Sequence, residues 1–232
     1  MGSGMAGAMV VLFAVVAVGV AVLAVVSQSR RRRALAAWAL ASGWQYTDSD
    51  DSLVALSTRA PFGVGRARHA REVLRGRFSG RDAVSFAYTW RTGSGKDEQT
   101  HTVHVVALAL PAYLPVVEVE PENVVIRMAH AFGGEDLQFE FEEFNRAFRV
   151  RSDDRRIAYA VLHPRLMERL LRGDARECAW RTDGTWILSW APGASDLGSM
   201  AARFGVLSAV VASIPRHVWQ EHGYDPLVQP IS

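Results

Sequence analysis

Cysteine occurs once, as Cys178, so the chain can form no internal disulfide and has no thiolate pair to hold a metal. A lone thiol fits a reducing compartment. Lysine is nearly missing too. Lys96 stands alone among 26 basic residues, a coding bias of a GC-rich genome rather than a functional signal. No GxSxG elbow, HExxH pair or paired-cysteine signature occurs, which removes the readable forms of serine hydrolysis and zinc chemistry. GSGK at 93–96 lacks the phosphate-loop spacing, and Lys96 is followed by Asp97. The segment joins two strand patterns and reads as a hairpin tip.

The basic excess is also thinner than it looks. Arg30, Arg31, Arg32 and Arg33 are consecutive; without them 22 Lys and Arg face 24 Asp and Glu, a net of −2. Nucleic-acid binding would want a basic domain, so no nucleic-acid partner is expected.

What is present begins with residues 8–26, AMVVLFAVVAVGVAVLAVV, which no charged or strongly polar residue interrupts. As a helix this run would be about 28 Å long, close to the hydrocarbon thickness of a bilayer. It predicts a single transmembrane helix within an N-terminal segment of residues 1–29. The arginine cluster that follows resists translocation, so the N-terminus is expected outside and the C-terminal domain in the cytoplasm. The same cluster would attract anionic head groups by about 1 kcal/mol per Arg. Residues 30–43 continue as a basic juxtamembrane helix, with Trp38 at interfacial depth and Gly43 closing it.

Residues 44–223 carry the patterns of an α+β domain of antiparallel sheet with packed helices, with room for two lobes, 44–142 and 143–223; 224–232 reads as a flexible tail. A polar, acidic passage fills 44–60. In 71–81, Arg71, Val73, Arg75 and Arg77 fall on odd positions and Leu74, Gly76 and Phe78 on even ones, so a strand would show three arginines on one face. Val84, Phe86, Tyr88 and Trp90 share a face of the next strand, and 102–110 returns as its hairpin partner. Pro111 and Pro115 should break the chain before a short strand at 116–120. Glu118, Glu120 and Glu122 share a face and are expected to lie near the Arg71, Arg75 and Arg77 stripe.

Residues 123–135 fit either a strand or a short helix; 137–142 alternate like a strand, and 144–152 continues as one. A helix capped at Ser152 or Asp153 then breaks at Pro164. Residues 177–182 and 185–190 suggest a second hairpin about Asp183-Gly184, with Trp180, Trp186 and Trp190 on one face. Asp196 caps a last helix, 197–213, stopped by Pro215.

The stretch 144–171, the segment WRTDGTWILSW and the Arg run before Gly43-Trp44 and Tyr46 resemble uncharacterised actinobacterial membrane-anchored proteins. More distantly they resemble a bacterial membrane-associated domain of unknown function. The resemblance implies the architecture and a bacterial origin, and no activity.

Candidate chemistry is sparse. His101 and His104 would point to opposite faces of a strand, and His217 and His222 are five apart. Cys178 reads as a small core residue. Paired acids at Glu140, Glu142 and Glu143 or at Asp153-Asp154 are accounted for by solubility and the helix dipole. No catalytic residue, metal ligand or cofactor is expected. The sequence points to a single-pass membrane protein whose domain is a non-enzymatic interaction or scaffold module at the cytoplasmic face. Its partners would be the bilayer and a protein partner at the membrane. Two alternatives stay open: a sensor of anionic lipid using Arg30–Arg33 with Arg71, Arg75 and Arg77, and an enzyme whose site is assembled from distant residues.

Overall fold

The computed structural model describes residues 19, 22, 23, 26–122 and 136–228. A helix, α1 (26–41), ends at Gly43, whose φ of 70° suits a residue without a Cβ. Strand β1 (Gln45–Ser49) and a short 3₁₀ turn (Asp51–Ala55) follow, the turn capped by the Asp50 carboxylate. Then come β2 (Arg66–Phe78), β3 (Arg81–Thr92) and β4 (Gln99–Pro121). The second half supplies α2 (Glu142–Ala147), β5 (Phe148–Ser152), α3 (Arg155–Val161) and α4 (Pro164–Leu170). It ends with β6 (Ala179–Pro192), α5 (Leu197–Ser213) and α6 (Arg216–Glu221).

All six strands form one antiparallel sheet, and β4 is its axis. Val103 of β4 lies between Tyr88 of β3 and Pro192 of β6, and Val117 lies between Ser152 of β5 and Thr182 of β6. So β6 runs along one edge of β4 while β3 and β5 succeed each other along the other. Strands from both halves of the sequence therefore share one sheet.

Apolar side chains leave both faces of this sheet. On one face Leu74, Val106, Leu108, Val117 and Trp180 pack under α1, α3, α4, α5 and α6. On the other, Val73, Phe86, Tyr88, Val105 and Trp190 are covered by Leu53 and Phe62 from the segment between β1 and β2. Burial on both sides explains why 102–110 is a nearly continuous apolar run.

Several expectations need correction. Among the described residues, no helix is long and apolar enough to cross a membrane, so the described fold does not include the expected transmembrane helix. Most of the apolar run at 8–26 lies outside the described residues, as does 123–135. The helix that is described, α1, carries four arginines and buries Leu35 and Ala39 against the sheet. Trp38 packs on this core and meets Trp44 at 5.6 Å between ring centroids, away from the interfacial role expected of it.

Pro111 and Pro115 do not break β4. They fall where its ladder with β6 is irregular, between Ala109, Leu114 and Val117, so their missing N–H groups interrupt no regular register. The Asp183-Gly184 hairpin is also absent: β6 passes straight through, and Gly184, at φ 65°, sits opposite Leu114 in an irregular stretch. That irregularity changes the parity of β6. Trp180 enters the helical core, while Trp186 and Trp190 go to the opposite one, so the three do not share a face. Residues 137–139 have no regular structure, and α2 replaces the strand expected at 144–147. In the expected tail, Tyr224 packs on Trp219 and Asp225 pairs with Arg216.

Other expectations hold. The hairpin closes at Thr92 opposite Gln99, with the GSGK segment at its tip. The helix breaks before Pro164 as expected, but its cap is Asp154 in place of Ser152 or Asp153, its carboxylate accepting from Ile157 N. Asp196 caps α5, accepting from Gly198 N and Ser199 N.

Candidate functional site

The expected arginine stripe is split by the backbone. Between Arg71 and Leu74 the β2–β3 register slips, and Glu72 takes a φ of 54°. One inserted residue reverses the alternation of a strand. Arg71 pairs with Ala87 and lies on the side covered by α1, whereas Arg75 pairs with Val84 on the opposite side. Arg77, paired with Asp82, shares the side of Arg75. The Arg75 guanidinium bonds Asp50, and Arg77 bonds the carbonyl of Gly80. The three therefore form no common surface.

The N-terminal cluster is divided as well. Arg30 and Arg33 are exposed, while Arg31 and Arg32 are half-buried on the domain side of α1. Arg31 reaches Glu72 at 3.2 Å and donates to the carbonyl of Ser195 at 2.8 Å. Arg32 lies 3.9 Å from Asp48. Arg31 and Arg32 thus bind the helix to the sheet as well as carrying charge.

The acidic stripe does meet a basic one, but not the one expected. Glu118 pairs in register with Arg151 and Glu120 with Arg149, both on β5. Arg151 contacts Glu118, Glu120 and Asp136 at 3.2–3.4 Å. Burial, and then Glu118, pushes the Glu120 carboxyl above the usual carboxylate range. On the other edge, Arg181 of β6 donates to Glu118 at 2.6 Å with no exposed surface. Its guanidinium also holds Ser57 Oγ and the carbonyls of Arg59 and Ala60, and lies 4.9 Å from the Trp190 ring centroid. Arg181 thereby pins the segment before β2 over the sheet. Neither Arg149, Arg151 nor Arg181 stood out in the sequence, although each lies on a strand opposite an acid.

A second polar group lies under α5. The Asp196 N–H donates to His104 Nδ1, leaving Nε2–H to donate to Ser85 Oγ at 2.8 Å. Arg203 donates to Ser189 Oγ and to the carbonyl of His104, and Ser189 lies 3.3 Å from Cys178 Sγ. Burial, then the nearby Arg203, lowers the His104 pKa to about 3, and burial lowers that of Arg203 to about 10. Burial likewise raises the Cys178 thiol. A neutral imidazole with both nitrogens engaged and a protonated thiol, linked only through Arg203 and Ser189, make no nucleophile–base pair. Ser85 and Ser189 have no exposed surface.

His101 stacks on Trp90 and bonds Thr92, on the side of the sheet away from His104. Asp153 pairs with Arg59, and Glu142 and Glu143 open α2. Among the described residues, no three His, Cys, Asp or Glu side chains are grouped so as to hold a metal ion. An open groove of about 780 Å³ runs past Phe139, Phe141, Tyr159, Leu162, His163 and Met167.

The architecture defines an α+β protein in which one antiparallel sheet is buried on both sides. No protein-family model and no curated protein matches the chain. Its fold is similar to the crystal structure of the mycobacterial trehalose monomycolate transport factor A, TtfA. That match has a TM-score of 0.57 at 14% identity and covers 79% of this chain and 96% of that one. At this identity the likeness is one of fold.

Proposed function

We propose that the chain is a non-catalytic interaction module working at the cytoplasmic face of a bacterial membrane. The observation that carries this reading is the docking of α1. Leu35 and Ala39 are buried in the core and Arg31 is tied to Glu72 and Ser195, so a basic helix is a rigid part of the domain. Arg30 and Arg33 stay exposed on it, where anionic lipids of the cytoplasmic leaflet attract them by about 1 kcal/mol each. The single buried thiol suits a reducing compartment. The structural neighbour is a transport factor, which favours an accessory role beside a membrane transport machinery over an independent activity. The resemblance to actinobacterial membrane-anchored proteins points the same way.

Protease accessibility of the full-length chain in membrane vesicles tests this. The domain should sediment with membranes and be digested in inside-out vesicles but not in right-side-out ones. Recovery in the soluble fraction, or digestion in right-side-out vesicles, would overturn it.

A further inference from the structure

We infer that the cleft between the start of α1 and the sheet is a binding site for a phosphate-bearing head group, with an anionic phospholipid as its source. The cleft has a volume of about 390 Å³, enough for a phosphodiester and its polar substituent. Its roof is Ser27, Gln28, Arg31 and Arg32 of α1; its floor includes Arg71, Thr89 and Thr102 on neighbouring strands. The register slip at Glu72 creates it, because the slip moves Arg71 to the side that α1 covers.

The lining holds three guanidinium groups against one carboxylate, Glu72, which Arg31 already engages. Asp48, beyond the lining, lies 3.9 Å from Arg32 and accepts from the Tyr46 hydroxyl at 2.9 Å. Among the described residues the buried Nε–H groups of Arg31 and Arg32 have no acceptor, and Glu72 Oε2 has no hydrogen-bond donor. Two buried donors against one such acceptor leave an excess of donors, which a ligand that accepts would meet. Among the described residues Arg71 forms no ion pair with a carboxylate across the cleft, and it is exposed at its mouth. Guanidinium forks match phosphate oxygens in pairs, and the Thr102 hydroxyl adds a single donor, while that of Thr89 donates to the carbonyl of His69.

Val26 at the head of the cleft is exposed, as are Val22 and Leu23 just before it in the chain. An apolar approach to a cationic cleft favours a phosphate attached to acyl chains over one free in water. The inference deepens the membrane-face reading and rests on it for that source.

The test uses the full chain in neutral detergent micelles and reads thermal stability. Adding phosphatidylglycerol to the micelles should raise the melting temperature, and phosphatidylcholine should not. Arg71→Gln, at an exposed position, should keep the starting melting temperature and weaken phosphatidylglycerol binding about tenfold; Arg32→Gln, which also loses the contact with Asp48, should weaken it likewise from a lower starting melting temperature. An unchanged phosphatidylglycerol response in both variants would overturn the cleft while leaving the membrane-face reading standing. A response of the wild type to glycerol phosphate as large as that to phosphatidylglycerol would overturn the lipid source. No response to either would overturn the site.

Discussion

Arg181 donates to Glu118 at 2.6 Å from a guanidinium that has no contact with solvent. The pair joins β6 to β4, and three further hydrogen bonds from the two Nη groups fasten residues 57–60 across the sheet. Breaking one side of such a pair leaves the other buried and short of partners. Arg181→Met should cost about 3–5 kcal/mol in urea denaturation. The double variant with Glu118→Gln should recover part of it. A single-variant loss below about 1 kcal/mol, the value for an exposed pair, would contradict this account.

His104 makes stability depend on pH. Its folded pKa of about 3 lies below the ordinary value of 6.5, because burial disfavours the cation. The unfolded chain therefore binds the extra proton first. The contribution is complete above pH 6.5 and drains away as pH falls toward 3. His104→Asn keeps an acceptor for the Asp196 N–H and removes the titration. Near pH 5 the slope of unfolding free energy against pH should flatten by about 1.4 kcal/mol per pH unit. Parallel wild-type and variant curves would refute the assignment.

Gly76 holds no side chain because Trp44 occupies the space. A Cβ there would lie 2.3 Å from Trp44 Cδ2. Gly76→Ala should push the indole off β2, lower stability by about 1–3 kcal/mol, and change the near-ultraviolet circular dichroism of the folded state. An unchanged spectrum would mean that Trp44 packs elsewhere.

Docking of α1 can be read by proteolysis. Leu35→Ala should cost about 2–5 kcal/mol if the helix folds with the rest of the domain. It should also speed tryptic cleavage within 30–33 in native buffer, since the helix would detach more often. Equal cleavage rates for wild type and variant would show that α1 is not held by the core.

Local signals were legible in the sequence where one residue decides the outcome. Asp196 stops a backbone from fraying, Pro164 cannot continue a helix, and a glycine-rich tip joins β3 to β4. Facing was not legible wherever the register slips. The slips at Glu72 and Gly184 reverse parity, and they scattered both the arginine stripe and the tryptophan set. A glycine between an aspartate and a threonine reads as a turn unless the partner strand is known to accept a bulge there. The path of β4 through Pro111 and Pro115 depends in the same way on irregular pairing far along the chain. The candidate site was half visible. Arg31, Arg32 and Arg71 were singled out for charge, but their convergence, and the exclusion of Arg75 and Arg77 from it, needed three dimensions.

The 23 residues of β4 give the molecule a mechanical property. At about 3.3 Å per residue such a strand is about 75 Å long, and every strand but β1 and β2 is sewn directly to it. A pull along its length would load the flanking ladders in shear, many hydrogen bonds at once, whereas a pull across it would unzip them singly. Tension reaching the sheet lengthwise would be resisted as by a ruler, and the same tension crosswise would peel it.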